Sequence, residues 1–269
     1  MRIFRIVVTI LFAVTVVLFG VVYINEQRTK DLTLPVITVE GEIIDVKVNA
    51  TDKDLLKGVT AYDEKDGDLT DKVIVESVSH FVEKGVCVVT YAVCDTNNHV
   101  ANASRRVRYT DYKSPTIQVV SPLCFSVYSK VDITEHFKVK DCIDGDISGA
   151  VVITSPNYEN GKIGSFDLEF RVTNRKGDLV ELVFPLYIDD TEIGAPLITL
   201  DKYSVYGEHT ENQYLNMIRS ITNAKEEPVE TQISIVREVV NNNITCIHYY
   251  ATNEDGITGH TVLMELSNI

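Results

Sequence analysis

Three prolines, Pro35, Pro115 and Pro196, stand 80 and 81 residues apart, and each opens the same short pattern. The pattern reads Leu34-Pro35-Val36-Ile37-Thr38-Val39, then Ser114-Pro115-Thr116-Ile117-Gln118-Val119, then Ala195-Pro196-Leu197-Ile198-Thr199-Leu200. Each puts a residue without an N–H at the start of an apolar run, where an edge strand tolerates the loss. A second landmark, Asp66-Gly67-Asp68, returns 78 residues later as Asp144-Gly145-Asp146. In the third unit Lys225-Glu226-Glu227-Pro228 holds that place, so the landmark has decayed there. A third landmark begins at Tyr91, Phe170 and Tyr249, 79 residues apart twice, and runs into Asn, Asp and Gly residues that tolerate positive φ. Three landmarks in one order at one period mean tandem units of ~80 residues.

Inside each unit Val, Ile and Thr alternate with polar residues, and turn signals fall roughly every 8–12 residues. That spacing suits a sandwich of about seven short strands. Brief helix-like stretches precede the acidic turns at 52–56 and 132–137, with a longer one over 211–221. Units of this size fold alone, so a string of beads is expected, with joints at 111–114 and 189–194 short enough that neighbouring domains should touch in a semi-rigid rod.

Residues Ile6 to Ile24 are nineteen in number and carry no charge. As a helix they span roughly 28 Å, about one hydrocarbon core. A cleaved signal peptide has a shorter apolar stretch and an A-x-A-like site. Neither fits here, so an uncleaved signal-anchor is expected. Arg2 and Arg5 before the helix are nearly balanced by Arg28 and Lys30 after it, which Glu26 and Asp31 offset. The long acidic part decides the orientation, since its fold belongs outside cells: N-terminus in, C-terminal domains out.

The expected architecture is therefore all-β, with three tandem immunoglobulin-like β-sandwich domains after one N-terminal transmembrane helix. Residues 1–5 form a cytoplasmic stub, 6–24 the helix and 25–32 a juxtamembrane link. The domains cover 33–112, 113–190 and 191–269, the last the most divergent.

The net charge of -14 argues against nucleic acid, whose phosphates would repel such a surface. Of the five cysteines, Cys87 and Cys94 sit seven apart in one expected strand, on opposite faces and roughly 23 Å from each other, too far to bond. With no CxxC pair and no His/Cys cluster in the sequence, the cysteines read as small apolar fillers of sandwich cores. The six histidines show no i, i+4 pairing, so neither zinc nor acid–base work is expected of them.

The order P-x-I-x-V, V-x-A-x-D-x-x-DGD-L-T, G-x-x-x-V-x-Y-x-V-x-D-x-x-N and R-x-V-x-Y-x-D resembles bacterial immunoglobulin-like repeats of Gram-positive surface proteins. The same type ends some pesticidal crystal toxins and is related to hyalin-type repeats. The first unit carries it through Pro35, Val59, Ala61, Asp63, Asp66, Gly67, Asp68, Gly85, Tyr91, Asp95, Asn98, Arg106 and Asp111. The second keeps Pro115, Asp141, Asp144, Gly145, Asp146, Gly164, Phe170 and Asp189, but has Asn174 where the first has Asp95. The resemblance implies surface location and a role in adhesion, spacing or carbohydrate binding, not one activity.

Asp63, Asp66 and Asp68, with Asp141, Asp144 and Asp146, are the residues that would hold Ca²⁺, the only cofactor in view. Their D-x-x-D-G-D spacing is not that of an EF-hand, and a turn closed by Asp side chains on backbone N–H groups is the favoured alternative. Tyr203, Tyr206 and Tyr214, in the last domain, are candidates for binding a partner. No G-x-S-x-G, P-loop or dinucleotide fingerprint occurs, so no enzyme is expected. The expected function is a membrane-anchored cell-surface module for adhesion, binding or spacing. Its partners are the lipid membrane, through 6–24, and an extracellular protein or glycan. The alternative is an extracytoplasmic scaffold subunit of a membrane complex, and a surface hydrolase ranks below both.

Overall fold

The computed structural model describes residues 2–29, 33–133 and 135–267. Helix α1 runs over Arg2–Thr29, longer at both ends than the apolar stretch. Of the residues assigned to the link, 25–29 are helical and 30–32, with Lys30 and Asp31, lie outside the described residues. Phe4–Ile24, of mean hydropathy 2.8, is long and apolar enough to cross a membrane. The Thr9 and Thr15 hydroxyls donate to the carbonyls of Arg5 and Leu11, each at 2.8 Å, so these two polar side chains are satisfied within the helix.

The chain forms two compact units. One comprises Met1–Val46, Ala50–Ser79 and Cys87–Arg108; the other comprises Lys47–Asn49, His80–Val86 and Tyr109–Ile269.

In the first sandwich β1 (Val36–Val39), β3 (Val59–Asp63) and β4 (Gly67–Asp68) make one sheet. The other holds β2 (Ile43–Val46), β7 (Val100–Tyr109), β6 (Val86–Cys94) and β5 (Ile74–Val78) in that order. The short helix α2 (Asp52–Leu55) precedes β3 and starts with a Thr51–Asp54 capping box. Strand alternation sets the faces: Val59, Ala61 and Asp63 point inward while Thr60 and Tyr62 face solvent. Arg105 is buried, yet its guanidinium is fully occupied. It donates to the carbonyls of Glu40, Leu55 and Lys57 and to the Tyr91 hydroxyl. Cys87 is buried and Cys94 exposed, on opposite faces of β6.

The second sandwich repeats the plan. Strands β8 (Thr116–Val119), β10 (Phe137–Asp141) and β11 (Gly145–Asp146) form one sheet. The other runs β12 (Val152–Thr154), β13 (Gly164–Thr173), β14 (Leu179–Asp189), β9 (Cys124–Ser126). In the third, β15 (Leu197–Leu200) pairs β17 (Ile218–Thr222), and opposite them β16 (Ser204–Tyr206), β20 (Thr258–Leu266), β19 (Ile244–Thr252) and β18 (Gln232–Val239) line up. Both use the same crossover, since β9 joins β14 in parallel and β16 joins β20 in parallel.

Two helix-like expectations change. Described residues around Asp132 carry no helix, and Thr134 lies outside the described residues. The stretch over 211–221 splits into α3 (Glu211–Leu215) and strand β17, because the β-branched Ile218 and Ile221 pair with β15.

The string of beads is also corrected for the last two sandwiches. Their apolar residues form one continuous core. Phe137, Phe166, Phe170, Phe184 and Leu186 of the second sandwich cluster with Ile244, Cys246, Val262 and Met264 of the third. A separate cluster around Leu200, Ile247, Tyr249 and Leu263 fills the third from within. Strands β19 and β20 are thus buried on both faces, and their near-continuous apolar runs say why.

Candidate metal centre between the second and third sandwiches

The seam between these sandwiches is built from strand ends. Strand β8 is the edge of its sheet, with backbone groups free to pair outward. The Tyr206 hydroxyl accepts from Ile117 N–H at 3.0 Å and donates to Ile117 C=O at 2.8 Å. Ser204 does the same for Val119, at 2.8 and 3.3 Å. Asn241 donates to the Val183 carbonyl at 3.0 Å.

At the other side of the seam lies a polar chain. Cys124 opens β9, and Asp189 closes the adjacent β14. His260 comes from β20, 136 residues after Cys124. Cys124 Sγ lies 2.9 Å from Asp189 Oδ2 and 3.2 Å from His260 Nδ1. Asp189 Oδ2 and His260 Nδ1 are 2.5 Å apart. His260 Nε2 meets His248 Nδ1 at 2.9 Å, and His248 Nε2 meets Glu238 Oε2 at 2.9 Å. The Tyr187 hydroxyl donates to that same oxygen at 2.7 Å. Tyr250 stacks on His260 with centroids 4.6 Å apart, and Tyr187 stands edge-on to His248 at 4.8 Å.

Burial and the Asp189 carboxylate push the Cys124 thiol far up, which keeps it a neutral thiol. His248 is lowered, first by desolvation. Asp189 is shifted down, as the donors His260 and Cys124 outweigh its burial. A nucleophilic triad needs Cys and Asp on different imidazole nitrogens. Here both approach Nδ1, so the arrangement suits ligation rather than attack. Cys124, Asp189 and His260 offer one sulfur, one oxygen and one nitrogen within 4.8 Å of one another.

This cluster corrects the reading of Cys124 as a core filler and of the histidines as unclustered. Cys87 and Cys246 do fill cores, while Cys94 and Cys142 are exposed. The only sequence signal lay in Asp189, which matches Asp111 of the first unit. Nothing local ties Cys124 to a histidine in the last strand of the next repeat.

The acidic turns are occupied by protein donors. Asp63 Oδ1 accepts from the amides of Lys65 and Asp66, and Asp66 accepts from the Thr96 amide and hydroxyl. Asp68 accepts from Thr70 N–H. In the second sandwich Asp141 Oδ1 takes the amides of Ile143 and Asp144, and Asn174 donates to its Oδ2 at 3.1 Å. Asp144 holds the Arg175 amide and guanidinium, and Asp146 holds the amide of Ser148. In the third, Asn223 takes the aspartate's part, accepting from Lys225 and Glu227. Among the described residues Asp63 Oδ2 is a buried oxygen without a partner.

The three tyrosines do not form a shared surface. Tyr214 is a core residue, 5% exposed, with its hydroxyl on Glu265. Tyr203 is half-buried beneath the seam, its hydroxyl on Leu200 N–H. Tyr206 keeps an exposed ring edge, but its hydroxyl is spent on Ile117.

No family model matches this chain. It is similar to the pesticidal crystal protein Cry22Aa of Bacillus thuringiensis, at 30% identity over 168 residues, 60% of this chain and 22% of that protein. An uncharacterized 81.3 kDa protein of Acholeplasma phage L2 is 29% identical over 87 residues, 32% of this chain and 11% of that protein. The chain thus spans less than a quarter of either relative. Among solved structures, the M60 catalytic domain with CBM51-1 and CBM51-2 of Clostridium perfringens ZmpB aligns over 86% of this chain and 36% of its own. Its identity is 12% and its TM-score 0.25. The protocadherin GammaB4 extracellular domain aligns over 89% and 50%, at 11% identity and a TM-score of 0.22.

Proposed function

We propose that the chain is a single-pass surface protein, held by Phe4–Ile24 with its N-terminus inside, whose sandwiches act outside the cell as a non-enzymatic binding or spacer module. The three domains take the bounds 33–112, 113–190 and 191–269. The observation that carries this reading is the core shared by the last two sandwiches. Two sandwiches fused through a shared apolar core make a stiff element, which is what a spacer or a presented contact surface needs. The likeness to Cry22Aa over 168 residues, 22% of that protein, supports a module that also occurs within a longer protein.

The groove beside the seam, ≈ 420 Å³, is lined by Lys138, Lys140, Lys202, Tyr206 and His209. It is basic on a chain of net charge -14, which favours an anionic partner such as an acidic glycan. The exposed Cys94 and Cys142 test the topology directly. A membrane-impermeant maleimide should label them on intact cells; labelling that appears only after lysis sinks the outward placement. Lys138→Glu with Lys140→Glu should weaken retention on immobilised acidic polysaccharide, and unchanged retention rejects the groove.

A further inference from the structure

The chain Asp189–His260–His248–Glu238 has three short links, and each needs one proton. They join Asp189 Oδ2 to His260 Nδ1, His260 Nε2 to His248 Nδ1, and His248 Nε2 to Glu238 Oε2. Two neutral imidazoles bring two protons. With both imidazoles neutral the three links are one proton, and so one positive charge, short; a cation at the Asp189 end, where a thiol sulfur also converges, would supply it.

We propose that Cys124, Asp189 and His260 bind one zinc-class divalent ion, which supplies that charge and ties the second sandwich to the third. With the ion on Nδ1, His260 is the Nε2–H tautomer and donates to His248 Nδ1. His248 in turn donates Nε2–H to Glu238, whose oxygen also receives the Tyr187 hydroxyl. Every link then has its proton, and both imidazoles are neutral. This is the outer-shell pattern by which ligating histidines are oriented through their second nitrogen. One sulfur, one nitrogen and one oxygen form a donor set that zinc accepts with a fourth place left for water. Hard cations such as calcium would find a single carboxylate here.

Zinc holds such donors at about 2.0–2.3 Å, which sets them about 3.3–3.8 Å apart. The present separations of 2.5, 2.9 and 3.2 Å are those of a hydrogen-bonded cluster that opens by up to about an ångström on loading. Binding balances simply: Zn²⁺ displaces the thiol proton of Cys124, which leaves to solvent, while the two imidazole protons stay on the rings and settle on His260 Nε2 and His248 Nε2. Because Cys124 and Asp189 belong to one sandwich and His260 to the other, the ion bridges strands β9 and β14 to β20.

This inference stands whether or not the chain is a surface module. The test uses the full chain in mild detergent, untagged and stripped with EDTA, titrated with Co²⁺ and with Zn²⁺. The expected result is one ion per chain, with visible d–d bands and a near-ultraviolet thiolate-to-cobalt band that Zn²⁺ bleaches. Cys124→Ser should abolish the thiolate band while its melting midpoint in EDTA stays at the parent value. His260→Gln should remove binding, and His248→Gln should weaken it about 10–100-fold, as outer-shell losses do. A thiolate band that survives Cys124→Ser, affinity indifferent to His260→Gln, or no uptake at all by the parent chain each overturns the proposal. The last outcome would leave an imidazolium between Asp189 and Glu238 as the missing charge.

Discussion

The hydroxyl of Tyr206 accepts the Ile117 amide and donates to the Ile117 carbonyl, so one side chain closes the exposed edge of a strand 89 residues earlier. Ser204 repeats the device on Val119 two residues along, as the period of a strand requires. Tyr206→Phe keeps the ring and leaves both Ile117 groups without their partner. The expected loss is about 1–3 kcal/mol, the cost of unmet polar groups at a half-buried site. Urea unfolding of the full chain in detergent measures it. A midpoint equal to the parent's would show that water replaces the hydroxyl at no cost.

The acidic turns carry a second expectation. In the second sandwich Asn174 donates to Asp141 Oδ2, and both side chains are buried. Asn174→Asp would set two carboxylates against each other there. The predicted loss is about 2–4 kcal/mol at neutral pH, since Asp141 loses its amide donor and faces a second charge at a buried site. Repulsion raises the folded pKa of the pair above its unfolded value. The pair's shared proton is then fully stabilising below the unfolded pKa and is lost as pH rises through the raised folded one. The variant should therefore approach the parent in melting midpoint between pH 7 and pH 5. A gap that stays constant over that range rejects the shared-proton account.

The repeat period and its landmarks were legible because they are local: a Pro before a strand, an Asp that caps its own turn, an aromatic that starts the central strand. Even the decayed turn is readable afterwards, since Asn223 also accepts amides of its own turn, at i+2 and i+4 where Asp63 and Asp141 take i+2 and i+3. The fused core was not legible, because a strand buried on both faces by its own sandwich reads like one buried partly by a neighbour. The Cys124–Asp189–His260 cluster was hidden for a related reason. Each residue is ordinary in its own strand, and only the docking of β20 against the β9–β14 pair brings them together.

Acid should weaken the turns in a definite direction. Asp146 is held below the usual carboxylate range first by the Ser148 side chain and then by its amide, and Asp68 likewise by Thr70. Asp66 is lowered by the Thr96 amide and hydroxyl. A depressed folded pKa gives stability that is present above the unfolded value, near pH 4, and is lost as pH falls through the folded one. Asp68 and Asp146 are exposed and Asp66 partly so, so solvent screens each contribution. Asp68→Asn with Asp146→Asn should flatten the dependence of the melting midpoint on pH between about 4 and 2. An unchanged slope would assign acid sensitivity elsewhere.

The shared core makes the last prediction, and it separates a fused pair from beads. Met264 belongs to the third sandwich, is fully buried beside Cys246, and lies in the cluster that contains Phe166, Phe170 and Phe184 of the second. Met264→Ala should cost about 2–5 kcal/mol, transfer plus cavity. If the two sandwiches open together, amides of β13 in the second must lose protection as well as those of β19. Hydrogen exchange on the full chain reads both strands at once. At the lower end of that range exchange in β13 should quicken about 30-fold, by RT of about 0.59 kcal/mol. Independent beads would confine the acceleration to β19 and its neighbours, because a cavity in one core does not loosen another. The β13 amides therefore decide the matter, since they sit in the repeat that the substitution leaves untouched.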